Sequence, residues 1–164
     1  MSILVAYATH SGATRTLADA IVAELGQLGI PGDAIDVRDD PDPSAHDAVI
    51  MGSAIRMDSV EKTFVTWAKK HEHLLGDRPV ALFSCSGSAA DPAKAGGQKG
   101  VEAFLSDAAF QPVAVRNFPG WLFLDRIPMH ERVLMKAMRA PVGDFRDLDA
   151  VRAWVREIRP ALDE

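Results

Sequence analysis

Apolar residues along the chain form short, nearly continuous runs that alternate with stretches where they recur every three or four positions. Ser2 to Ala8 (SILVAYA) is such a run, as expected of a strand buried on both faces. From Gly12 to Leu28, the residues Leu17, Ile21, Leu25 and Leu28 fall at helical spacing, with Gly29 placed as a stop. Ala34 to Val37 predicts a short second strand, Asp39 to Pro43 a Pro/Asp loop, and Asp47 to Ser53 a third strand. Val60, Phe64, Trp67, His71 and Leu74 mark one face of a second helix, which puts Phe64 and Trp67 in the core. Pro79 to Ser84 reads as a fourth strand and Gly100 to Ala109 as a third helix, with Val101, Phe104, Leu105 and Ala108 inward. Pro112 to Asn117 starts a fifth strand, and Leu148, Val151, Val155, Ile158 and Leu162 stripe the last helix.

Five strands and at least four helices in β-α alternation predict an α/β fold. Its form is a three-layer sandwich: a five-stranded parallel sheet with helices on both faces. One segment does not fit the minimal plan. Phe118 to Asp144 inserts about 25 residues before the last helix, where ~2–6 are usual. Its pattern predicts a helix over Asp125 to Arg139.

At 164 residues, a single domain over 1–164 is expected. No apolar run approaches the roughly 20 residues of a membrane span. Met1-Ser2-Ile3-Leu4 reads as a first strand rather than a signal peptide, and the single cysteine, Cys85, offers neither an internal disulfide nor a zinc set. A cytoplasmic protein is the expectation. The net charge of −5 argues against general nucleic-acid binding. That charge is uneven: residues 31–50 hold six Asp and one Arg, whereas residues 112–139 hold Arg116, Arg126, Arg132, Lys136 and Arg139 against Asp125 and Glu131.

In a doubly wound sheet of order 2-1-3-4-5, ligands bind beside the loops after strands one, three and four. The first of these, Thr9-His10-Ser11-Gly12-Ala13-Thr14, combines hydroxyl side chains with a glycine and a helix start, which suits a terminal phosphate. Capping of the helix by Ser11 or Thr9 is the structural alternative. The loop lacks the lysine of a Walker motif and the G-x-G-x-x-G of a dinucleotide fold, which disfavours ATP, GTP and tightly held NAD. The second loop, Gly52 to Met57, and the third, Ser84-Cys85-Ser86-Gly87-Ser88, are built of small residues that let a flat ring lie against backbone. Ordinary surface turns would use the same residues.

Together these motifs resemble the flavodoxin-like family. The combination of Ala8 to Thr14 with Gly52-Ser53-Ala54-Ile55-Arg56 is similar to the subgroup typified by menaquinone-dependent protoporphyrinogen oxidase, which also carries a long insertion before its last helix. The resemblance implies FMN as cofactor. Thr9, His10, Ser11, Gly12, Ala13 and Thr14 would hold its phosphate; Ser53, Ala54, Ile55 and Arg56 would line one side of the ring, and Ser84, Cys85, Ser86, Gly87 and Ser88 the other. It also implies an oxidoreductase of heme biosynthesis that takes electrons from a porphyrinogen and passes them to a quinone, with possible membrane contact through residues 118–140. A carrier that hands electrons to a redox protein, and a flavin-free interaction module, are the alternatives.

The chain departs from many flavodoxins in having no aromatic residue in the second and third loops, which leaves Met57, Trp121 or Phe123 to stack on a ring. Arg56 has two readings, a cation beside the ring or the partner of Asp58 or Glu61. Cys85 is either a thiol facing the flavin or a small filler. His10 is either a phosphate donor or a loop histidine without a role. Within the insertion, Trp121, Leu122, Phe123 and Leu124 precede a basic stretch carrying Ile127, Val133, Leu134, Met135 and Met138. Such a helix either lies on a membrane or partner, or packs on its own core.

Overall fold

The computed structural model describes residues 1–94 and 97–164. The long strands are β1 (Ile3–Ala8), β2 (Gly32–Asp36), β3 (Ala48–Arg56), β5 (Val80–Ser86) and β6 (Ala114–Pro119), and a short β4 (Ser59–Val60) folds back on β3. Helices α1 (Ala13–Gln27), α2 (Lys62–Lys70), α3 (Glu72–Gly76), α4 (Lys99–Asp107), α5 (Met129–Ala137) and α6 (Leu148–Leu162) alternate with them. The sheet runs β2-β1-β3-β5-β6, all parallel, so the five long strands have the expected order 2-1-3-4-5.

Strand alternation divides the core in two. Ile3, Val5, Ile50, Ala81 and Phe83 point to one face, beneath α1 and α6, where Trp154 meets Phe83 and Phe118 edge-on. Leu4, Ala6, Val49, Met51 and Leu82 point to the other, beneath α2 and α4, joined by Phe64 and Trp67 as the helical spacing requires. Both faces of the central strands are therefore dry, which is why β1, β3 and β5 read as unbroken apolar runs. At the end of α1, Ile30 N–H donates to Leu25 O and Gly29 N–H to Gly26 O, while Gly29 takes φ +73°. This paired closure needs a left-handed residue, so the glycine stop is where the sequence places it.

Several boundaries differ from expectation for identifiable reasons. The second helix breaks at His71 into α2 and α3, which turns Leu75 rather than Leu74 into the core. Val60 belongs to β4, not to that helix. Strands β3 and β5 each run two or three residues beyond the expected ends, because neighbouring strands continue to supply partners: Ala54 pairs with Cys85, and Cys85 with Phe118. The insertion is helical only over Met129–Ala137, after a single 3-10 turn at Leu124–Arg126, since Pro128 intervenes. Two short strands, β7 (Trp121–Leu122) and β8 (Gly143–Asp144), pair antiparallel and close the insertion at its base.

Candidate functional site

The C-terminal ends of β1, β3, β5 and β6 converge on the start of α1. There Gly12 adopts φ +97°, and no side chain caps the helix. The Thr9 hydroxyl instead accepts from Gly12 N–H at 3.0 Å, so the capping alternative fails for the helix itself. The first-turn N–H groups of α1 have no side-chain cap, at the positive end of the helix dipole. Thr9, His10, Ser11 and Gly12 are half-buried around that opening. Ala13 and Thr14 are buried beneath it, and the Thr14 hydroxyl faces the Cys85 thiol.

The other two expected loops are corrected. Ser53, Ala54, Ile55 and Arg56 lie in β3, and Ser84, Cys85 and Ser86 lie in β5; only Gly87 and Ser88 are in the turn that follows. Strand alternation then decides which of them reach the surface. Ser53, Ser84 and Ser86 point to the α2–α4 side and are buried. Ser53 Oγ donates to Ala54 O and accepts from Glu61 N–H, while Ser84 and Ser86 both donate to Asn117 Oδ1 at 2.8 Å. Asn117 Nδ2 is buried without a partner among the described residues. These hydroxyls brace the strand ends rather than face a ligand. Cys85 points to the opposite, α1–α6 side. Burial pushes its thiol up to about 11, against the lowering pull of Thr14 and Arg146, so the reading as a small filler holds.

The surface-facing parts of the expected ring site are Ile55, Arg56, Gly87 and Ser88, with Met57 beyond them. Met57 and Asp58 both take φ above +50°, as a two-residue hairpin between β3 and β4 demands. Neither is glycine, so this tip is strained, and Met57 stands 69% exposed.

The insertion lies across this opening. Trp121 Nε1 donates to Ser11 O at 3.1 Å, and a side chain on Gly12 would come within 3.3 Å of the indole. The guanidinium groups of Arg126 and Arg146 sit 4.4 and 4.5 Å from the Trp121 ring centre, and Arg126 also lies 4.9 Å from Phe123. Arg146 is further held by Asp144, whose carboxyl it keeps below the usual range. Gly120 permits this approach: a Cβ there would lie 2.5 Å from Cys85 Sγ.

From α5, Glu131 reaches back to two elements at once. Its carboxylate accepts from Arg56 Nη1 at 2.9 Å and sits 2.6 Å from His10 Nε2. Arg56 also makes a two-point contact with Glu61, at 3.1 and 3.2 Å. Burial pushes the Glu131 carboxyl up, but the bonds from His10 and Arg56 outweigh it and hold it below its ordinary value. The pairing of Arg56 with Glu61 is thus as one sequence reading expects, while its bond to Glu131 spans 75 positions and has no local signal. Glu131, Gly120 and Asn117 are the site residues that sequence reasoning missed; Glu131 reads there only as a countercharge within a basic stretch.

Helix α5 presents the inverse of an ordinary surface helix. Glu131 and Met135 are half-buried, whereas Met129 and Val133 are more than 60% exposed, as is Met138 just past the end of the helix, and no residue of the helix is buried. It does not pack its apolar side on the protein's own core. Among the described residues, no helix is long and apolar enough to cross a membrane, and no cluster of His, Cys, Asp and Glu is arranged to hold a metal.

Comparison with known proteins agrees with this architecture. The protoporphyrinogen IX dehydrogenase [quinone] of Escherichia coli K12 is 27% identical over an alignment of 177 residues, covering 100% of this chain and 98% of that protein. The protein of the same name from Leishmania major is 27% identical over 149 residues, covering 88% of this chain and 64% of its own length. Among solved structures, oxidised flavodoxin 1 from Bacillus cereus superposes with a TM-score of 0.64 at 17% identity, covering 99% of each chain. The Fusobacterium nucleatum flavodoxin bound to flavin mononucleotide gives 0.57 at 14% identity, covering 98% of each. The family model described as flavodoxin domain matches residues 4–149, and with the parallel sheet in the order 2-1-3-4-5 this shows that the chain belongs to the flavodoxin-domain family.

Proposed function

We propose that the protein is an FMN-dependent oxidoreductase that passes electrons from a porphyrinogen-type donor to a quinone, as the names of its full-length relatives state for those proteins. The observation that carries this reading is the glycine-opened, uncapped start of α1 at the end of β1. The residues present fit the cofactor's phosphate, because N–H groups at a helix start left without a side-chain cap bind a dianion without needing a lysine. Thr9, Ser11, Gly12 and the backbone of Ala13 and Thr14 would hold it. Ile55, Arg56, Gly87 and Ser88 would border the ring, with Trp121 of the insertion bonded to the phosphate loop and Phe123 beside Trp121.

Bound FMN supplies two-electron chemistry with release singly or in pairs. In each turnover the donor loses two electrons and two protons, and the quinone gains them to become a quinol. The protein's own groups position and shield. Arg56, held between Glu61 and Glu131, borders the ring, Trp121 covers the phosphate loop, and Arg126, stacked on two aromatic rings, attracts an acidic donor. The outward pair Met129 and Val133, with Lys136 on the same side of α5, suits an anionic, quinone-bearing membrane surface.

An equilibrium titration with FMN, read by the shift of the flavin absorbance band, tests the cofactor. Saturable binding, followed by reduction of a soluble quinone once a porphyrinogen is supplied as the two-electron donor, is the expected result. No binding at high FMN, or binding without quinone reduction, overturns the enzyme reading. Flotation with anionic vesicles tests the surface: loss of co-flotation in Val133→Asp is expected, and no flotation of the parent protein rejects membrane contact.

A further inference from the structure

Two side chains that sequence reasoning placed at the ligand site, His10 and Arg56, are both engaged by one internal carboxylate. His10 comes from the loop after β1 and Arg56 from the end of β3; they are far apart in sequence, and the fold brings them to a common carboxylate. That carboxylate belongs to the insertion, through Glu131, whose side chain is only 14% exposed although α5 as a whole is exposed. The contact is built on both sides. Ser53 Oγ accepts from Glu61 N–H, and Glu61 fixes the Arg56 guanidinium from behind at two points. The remaining Nη1 donor of Arg56 is thereby aimed at Glu131. Arg132, next along α5, bonds through Nε to Ile127 O instead.

We infer that His10 and Arg56 form a receptor for a carboxylate of the substrate, and that Glu131 occupies it as an internal stand-in until that carboxylate displaces it. The chemistry favours exchange. One carboxylate replacing another keeps the charge of the site and the number of charge-assisted hydrogen bonds unchanged. Binding without displacement would instead put a third carboxylate beside Glu131 and Glu61, which like-charge repulsion opposes. Displacement also has a mechanical consequence, because Glu131 is the contact that joins α5 to both strand ends. Its release frees α5 while Trp121 remains hydrogen-bonded to the phosphate loop. A carboxylate-bearing ligand would thus open the insertion from the α5 end only.

The inference rests on the proposed function only in naming the ligand as substrate, and its test needs no turnover. The probe is propionate, titrated in phosphate-free buffer into the protein as purified and into Glu131→Gln, with binding read from the His10 ring resonances. An internal competitor lowers apparent affinity by the fraction of time it holds the site, so its neutral isostere should bind propionate at least about tenfold more tightly. Adding Arg56→Gln to that variant should abolish the gain. Glu131→Ala is the second variant, and it should match Glu131→Gln if the effect is release of the receptor. Equal affinity in parent and Glu131→Gln, or a gain that survives Arg56→Gln, overturns the proposal. Failure here leaves the flavin reading intact, and failure of the FMN titration leaves this result interpretable.

Discussion

The docking of the insertion over α1 depends most on Trp121, and its contribution can be worked from three contacts. Replacing Trp121 with Ala removes the bond to Ser11 O, worth about 1 kcal/mol. It removes the two guanidinium contacts of Arg126 and Arg146, worth about 0.5–1 kcal/mol each at a partly exposed site. Burial of a half-covered indole adds about 1.5 kcal/mol. Allowing for relaxation of the two arginines, the docked state loses about 2–3 kcal/mol, which raises the open population roughly 30- to 150-fold. Limited trypsinolysis under native conditions measures this, because cleavage follows the open population when reclosing is fast. Arg126 lies against the Trp121 ring, so cutting after it requires that contact to open. The expected result is a cleavage rate at Arg126 faster by that factor, with the α6 amides protected as in the parent. A rate within about threefold of the parent would refute the assignment of Trp121 as the docking residue.

Three other expectations test separate parts of the site. With its thiol raised to about 11, Cys85 should be alkylated by iodoacetamide at pH 8 at least a hundredfold more slowly than after unfolding; equal rates would show that it faces solvent. Glu131 is held below its ordinary carboxylate value, so its stabilising bonds are fully present above that value and are lost as pH falls through the lower folded one. Tryptic exposure of α5 should therefore rise in acid after refolding to the assay pH is prevented by crosslinking, and Glu131→Gln should show no such rise. Gly12→Ala forces a side chain into φ +97° and against Trp121, so a loss of about 1–2 kcal/mol in urea unfolding and a drop in FMN affinity of at least tenfold are expected; unchanged FMN affinity would remove the α1 start from the cofactor site.

The amino-acid sequence by itself determined the layered fold and the position of the site. Both follow from local physics: β1, β3 and β5 are apolar on both faces, α1 closes on Gly29, and the glycine at position 12 precedes the first helix. The parallel order then brings the ends of β1, β3 and β5 together, as doubly wound sheets require. Tertiary structure alone decided which residues of that site are available. Cross-strand pairing extended β3 and β5 through Ser53 to Arg56 and Ser84 to Ser86, and strand alternation then buried the serines and Cys85. A period of two has no preferred face until neighbouring strands fix its register. The insertion shows the same limit. Its pattern disclosed a basic amphipathic segment, but Trp121 against Ser11 and Glu131 between His10 and Arg56 are contacts across 75 to 121 positions. Nothing local encodes them; closure of the β7–β8 base and the small size of Gly120 set where the insertion lands.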